Sequence, residues 1–203
     1  MAETKAARVI EWIRRAGIVR PRDLASEGVT HQYLQSLYRR GLLERRGRGL
    51  YSVAGAEFDE RETLSEVAMR APHGVICLLS ALRFHDLTTQ APYEVWLAVE
   101  HSAHVPQDVS LPLHAVYFSG RAFTEGIEER EVNGVTLRVY SPAKTVADCF
   151  KYRNKIGLDV ALEALRETWR ERRATMDDLW RYAAICRVTN VMRPYLTALE
   201  TLT

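Results

Sequence analysis

Arg20-Pro-Arg-Asp-Leu24, Gly28-Val-Thr30, His31-Gln-Tyr-Leu-Gln-Ser-Leu-Tyr-Arg-Arg40 and Leu42-Leu-Glu-Arg-Arg-Gly-Arg-Gly-Leu-Tyr-Ser-Val53 follow one another along a single stretch of chain. Pro21 suits the first turn of a short helix, where its missing N–H would be unpaired anyway. Wound as a helix, residues 31–40 put Leu34, Leu37 and Tyr38 on a narrow apolar stripe, with Gln32, Gln35, Ser36 and Arg39 on the other side. Thr30 has the side chain of an N-cap. Gly47 and Gly49 permit the positive φ of a tight hairpin, whose tip carries Arg45, Arg46 and Arg48. Helix, turn, helix and hairpin in that order are the layout of a winged helix-turn-helix.

The polar side of the second helix has the chemistry for reading base edges. A glutamine amide bonds adenine at two points, and an arginine does the same for guanine. Gln32, Gln35, Ser36 and Arg39 are therefore the candidate base-facing residues, and Thr30, His31 and Arg40 the flanking backbone contacts. A helix N-terminus also favours a nearby phosphate. Arg45, Arg46 and Arg48 would make the wing contacts, while Arg20 and Arg22 would clamp phosphates where the chain enters the first of the two helices.

Charge is divided unevenly. Of 28 Lys/Arg and 26 Asp/Glu in the chain, 11 and 5 fall within residues 1–55, leaving 17 and 21 beyond, so +6 and −4 lie behind the total of +2. A basic module on an acidic body is the electrostatic footprint of nucleic-acid binding by the first part only. We expect two domains, 1–55 and 56–203, joined at Ala54-Gly-Ala56. The 203-residue length is ample for a second, independent core. No apolar run has the roughly 18 residues of a membrane span, and the start leads into an amphipathic helix rather than a signal peptide, so a cytoplasmic location is expected. Cys77, Cys149 and Cys186 are odd in number, scattered and in apolar surroundings, as reduced core thiols are.

Ala6, Val9, Ile10, Ile13 and Ala16 mark the apolar side of a first helix that ends at Gly17. In the body, periodicity predicts a helix over 59–70, an apolar run 75–79 leading into a helix over 80–87, and strands over 94–99 and 113–118 with a polar loop between them. Asn133-Gly134 between residues 128–132 and 135–140 is a type I′ hairpin signal. Ser141-Pro142 caps and opens a helix in which Lys144 and Asp148 read as a surface ion pair. Helices over 158–172, 176–187 and 191–202 complete the chain, with Trp169, Trp180, Tyr182 and Tyr195 as core side chains. The fold class is α+β: the N-terminal winged helix-turn-helix, then an α+β domain with a small, mainly antiparallel sheet and several C-terminal helices.

The chain resembles the AbiEi family of antitoxins. In the front module the resemblance rests on Asp23-Leu-Ala25, Leu37-Tyr-Arg-Arg-Gly-Leu-Leu43 and Gly49-Leu-Tyr51. In the body it rests on Leu79-Ser-Ala-Leu82 with His85, Leu87 and Thr88, on Val95-Trp-Leu-Ala-Val99 after Pro92, and on Tyr140-Ser-Pro-Ala-Lys-Thr-Val-Ala-Asp148. Each motif is made mostly of apolar or capping residues, and their order and spacing carry the likeness. The resemblance implies a repressor whose winged helix binds inverted repeats in the double-stranded promoter DNA of its own operon. It also implies a C-terminal domain serving antitoxicity against a nucleotidyltransferase-like toxin, in a type IV toxin-antitoxin system. It carries over no catalytic role.

Two other functions compete. An enzyme acting on nucleotides or nucleic acid would need converging carboxylates or a metal. No phosphate-loop, nucleophile-elbow or His-Glu-x-x-His motif is present, and His101 and His104 beside Glu100 read as solvated loop residues rather than a metal site. No cofactor and no catalytic residue is therefore assigned. A one-component regulator with a ligand-sensing C-terminal domain is the alternative that the sequence leaves open.

Overall fold

The structure, a computed structural model, describes residues 5–47, 49–56, 60–100, 103, 105 and 112–201. It opens with helix α1 (Lys5–Ala16), a 3-10 helix (Pro21–Glu27), helix α2 (His31–Arg39) and a hairpin of β1 (Leu43–Gly47) and β2 (Leu50–Val53). Val9, Ile13, Val19, Leu24, Val29, Leu34, Leu37, Leu43 and Tyr51 form a buried core drawn only from this part of the chain. One pairing went unread in the sequence: Val19 N–H donates to Tyr51 O (2.9 Å) and Tyr51 N–H to Val19 O (3.0 Å), so Val19 pairs with β2 beside the hairpin. The short helix opened by Pro21 is a tight 3-10 turn. Arg20 N–H donates to the Asp23 carboxylate (2.9 Å) as its N-terminal capping box.

The body comprises α3 (Glu60–Arg70), β3 (Val75–Ile76), α4 (Leu78–Phe84), β4 (Val95–Val99), β5 (Leu113–Tyr117) and α5 (Arg121–Thr124). There follow β6 (Ile127–Val132), β7 (Val135–Tyr140), α6 (Pro142–Lys151), α7 (Arg153–Ile156), α8 (Leu158–Arg170), α9 (Met176–Ile185) and α10 (Thr189–Thr201). The apolar run 75–79 thus divides into a two-residue strand and the start of α4, and α5 and α7 are additions to the elements read from sequence. Asn133 and Gly134 both have positive φ (52° and 72°) between the paired strands β6 and β7, as the type I′ signal requires.

The sheet order is β5-β4-β3-β7-β6. The β3/β4 and β6/β7 pairs are antiparallel, and the β3/β7 and β4/β5 pairs are parallel. The small sheet expected to be mainly antiparallel is therefore mixed. One parallel pair, β3 with β7, joins strands distant in the chain, with Ile76 opposite Val139; the other, β4 with β5, joins consecutive strands. Alternation along the strands divides the core. Ile76, Val95, Leu97, Val99, Leu137 and Val139 pack with Leu64, Val67 and Ala71 of the α3 segment. Val75, Trp96, Ala98, Val116 and Tyr140 pack on the other side with α4, α6 and the C-terminal helices.

Lys144 and Asp148 correct a second expectation. Both side chains are fully buried, with Nζ 2.5 Å from Oδ2, so the pair is internal. Lys144 Nζ also stands 3.9 Å from the Tyr140 ring centroid, and Cys186 Sγ donates to Asp148 Oδ1 at 3.2 Å. Burial pushes the Asp148 carboxyl up, against the opposing pull of Lys144. The three cysteines are free and buried, as expected of core thiols, and burial pushes each thiol up. Tyr182 is buried in the core, while Trp169, Trp180 and Tyr195 are partly buried against it.

Candidate nucleic-acid interface

Helix α2 is positioned by its buried side and by its N-cap. Leu34 and Leu37 are fully buried, and Thr30 Oγ1 accepts the Tyr33 N–H at 3.2 Å. Just before it, Gly28 takes the left-handed conformation (φ 68°) that ends the 3-10 helix. This fixes the polar side of α2 outward: Gln32, Ser36 and Arg39 are exposed and Gln35 is half-buried. His31 and Arg40 are exposed at its two ends, as is Thr30. Tyr38 departs from the predicted apolar stripe: it is 44% exposed and meets Tyr51 edge-on, with ring centroids 6.3 Å apart. Its ring covers the hairpin instead of entering the core.

The arginines around this helix differ in how they are held. Arg20 is half-buried on Asp23 (Nε–Oδ2 3.1 Å), whereas Arg22 is exposed with its Nε 3.8 Å from Asp23 Oδ1. In the hairpin Arg45 is exposed opposite Tyr51. Arg46 is turned back on its own hairpin, donating to Ser52 Oγ at 3.1 Å and pairing with Glu44. Arg48 lies outside the described residues. The structure therefore brings Gln32, Gln35, Ser36 and Arg39 onto one helix face, and engages Arg20 and Arg46 with neighbouring side chains.

Two residues that the sequence reading passed over support this arrangement. Lys5 Nζ donates to the Gly28 carbonyl (3.3 Å) and stands 5.1 Å from the Tyr33 ring centroid, tying α1 to the turn. Arg70 of α3 donates to the Arg46 carbonyl (3.1 Å) while its Nε is held by Glu66 (3.1 Å). Neither carries a local motif, because both act through backbone carbonyls distant in sequence.

Among the described residues no group of three or more His, Cys, Asp or Glu side chains could hold a metal ion. His101 and His104 lie outside them. No helix among the described residues is long and apolar enough to cross a membrane.

Fold and site define a two-part α+β protein: a basic helical module with a hairpin, followed by a mixed sheet with helices on both faces. Residues 7–54 match the family model described as "Transcriptional regulator, AbiEi antitoxin", so the resemblance read from the sequence holds across that module. The crystal structure of the RV2827C protein from Mycobacterium tuberculosis is similar in fold. Its TM-score is 0.57 at 14% sequence identity, with 88% of this chain and 71% of that chain covered. No curated protein matches the sequence.

Proposed function

We propose that the protein is a DNA-binding transcriptional repressor and the antitoxin of a type IV toxin-antitoxin system. Residues 1–55 are a winged helix-turn-helix domain that binds inverted repeats in the double-stranded promoter DNA of its own operon. Residues 56–203 are the antitoxin domain, which counters a nucleotidyltransferase-like toxin in the cytoplasm. Gln32, Gln35, Ser36 and Arg39 face bases. Thr30, His31 and Arg40 lie on the flanking backbone, Arg45, Arg46 and Arg48 on the wing, and Arg20 and Arg22 at the entry. On this reading the protein regulates and does not catalyse.

One observation carries the proposal. The segment that matches the regulator family presents an outward row of amide, hydroxyl and guanidinium groups on a capped helix, beside a basic hairpin. Fluorescence anisotropy of the protein on its own upstream promoter and on a scrambled duplex, across a salt series, tests it. Preference for the promoter at physiological salt is the expected result. Equal, steeply salt-dependent binding to both duplexes would leave a basic module without a cognate site and sink the repressor reading.

A ligand-sensing regulator is the second reading. It is favoured by a cavity of about 560 Å³ between module and body, lined by Trp12, Arg15 and Ile18 on one side and Met69, Asn133 and Val135 on the other. A metabolite that raises the melting temperature and also releases promoter DNA would support it.

A further inference from the structure

At the far end of β5 a cavity of about 480 Å³ opens between the β5–α5 turn and the final turns of α6 and α9. Arg121 at the start of α5, Lys151 at the end of α6 and Arg187 just after α9 all line it, and none of its described lining residues is acidic. Net charge makes this unusual for the body, where acidic residues outnumber basic ones by 21 to 17. A cation at a helix C-terminus complements the helix dipole. That accounts for Lys151 and Arg187 singly, but not for the presence of Arg121 on the same cavity from a separate element. Arg121 is oriented by Glu125 (Nε–Oε1 2.5 Å), whose other oxygen accepts from Arg181 (2.9 Å), so this carboxylate is already engaged by two guanidinium groups.

The walls have a matching character. Tyr117, 47% exposed, and buried Phe118 both line it, with Lys151 Nζ 5.7 Å from the Phe118 ring centroid. Gly120, with φ 53° and ψ −141°, contributes backbone and no side chain to the rim; a Cβ there would meet nothing within 4 Å. Cations that can gather a phosphate, beside an exposed aromatic ring on which a base can stack, are the two halves of a nucleotide site. The volume is that of a small-ligand pocket. It is large enough for one nucleotide.

We propose that this cavity binds a phosphorylated nucleotide, its phosphate on Arg121, Lys151 and Arg187 and its base on Tyr117. The ligand is either a free nucleotide or the terminal nucleotide of a single strand, and in both cases the chemistry recognised is the same. The site is independent of the promoter-reading face, and the two fail separately.

The test titrates the full chain, by fluorescence, with a dye-labelled nucleoside triphosphate and, separately, with a short dye-labelled single-stranded oligonucleotide carrying a terminal phosphate. Lys151→Gln and Arg187→Gln should each weaken the productive ligand on the order of tenfold, as loss of one charge-assisted hydrogen bond does. Tyr117→Ala should weaken it as well. Melting temperature and promoter affinity should stay at wild-type values, which separates loss of the site from loss of the fold. Binding of the triphosphate identifies a free nucleotide as the occupant, and binding of the oligonucleotide alone identifies a strand end. Absence of binding by either probe at about 1 mM, or binding that all three substitutions leave unchanged, overturns the proposal.

Discussion

Replacing Lys144 by Met isolates what the buried ion pair does for the fold. Both partners are completely inaccessible, and Asp148 would keep only the Cys186 thiol at 3.2 Å as a donor among the contacts described above. Removing one member of a buried pair costs about 3–5 kcal/mol, because the remaining charge has lost the interaction that offset its desolvation. An exposed i,i+4 pair would cost only about 0.3–0.5 kcal/mol. Against a total stability of about 5–15 kcal/mol, the first figure is readily measured. Urea unfolding followed by circular dichroism should show Lys144→Met and Asp148→Leu each losing several kcal/mol. The double replacement should recover most of that loss, since an apolar pair of similar volume leaves no charge to desolvate. The pH dependence has a definite sign. Burial raises the Asp148 carboxyl and Lys144 opposes the rise, so in Lys144→Met the folded protein holds the proton more tightly than the unfolded chain. The penalty is then greatest above the folded-state pKa and shrinks as pH falls from there toward the unfolded value. Single variants costing less than about 1 kcal/mol, with no recovery in the double, would refute the reasoning.

Gln35→Ala should lose about 1–3 kcal/mol on the promoter and little on random duplex, and equal losses on both would remove its base-reading role. Arg70→Ala should weaken promoter binding by displacing the hairpin while leaving the salt slope unchanged. A slope reduced by about one unit would instead make Arg70 a phosphate contact. His85 is buried, donates from Nε2 to the Tyr140 carbonyl at 2.8 Å, and has its pKa lowered below 6.5 chiefly by burial, with Arg173 and Arg130 adding to the effect and the Tyr140 carbonyl and Glu128 opposing it. The unfolded chain therefore takes up the proton first. Its contribution to stability is complete above about pH 6.5 and declines as pH falls toward the folded pKa. His85→Gln should flatten that part of a stability–pH curve, and an unchanged curve would show that the histidine does not set it.

The local features were the legible ones. Thr30, Gly28 and Asn133-Gly134 act through bonds and dihedrals within a few residues of themselves, and each took its predicted place. The pairing of Val19 with Tyr51 and the parallel pairing of β3 with β7 depend on partners far along the chain, where period and composition are silent. The Lys144–Asp148 spacing is the same on a surface helix as on a buried one. What distinguishes α6 is that every residue from Pro142 to Phe150 is buried, which the spacing does not show. At the candidate site, the division of α2 into packed and outward sides followed from its periodicity. That Arg20 and Arg46 are held by Asp23, Glu44 and Ser52 did not, since several arginines competed for few acceptors.

Module and body have separate cores, yet α3 touches both. On the sheet side, Leu64 and Val67 pack with β7 residues, and Ser65 Oγ lies 3.4 Å from the Val132 carbonyl. On the module side, Arg70, braced by Glu66, bonds the Arg46 carbonyl of the hairpin. The Glu66 and Arg70 side chains are only 2% and 11% exposed, so solvent does little to screen or loosen this bracket. One helix thus meets both parts, by side-chain packing on the sheet and by a hydrogen bond to the backbone of the hairpin.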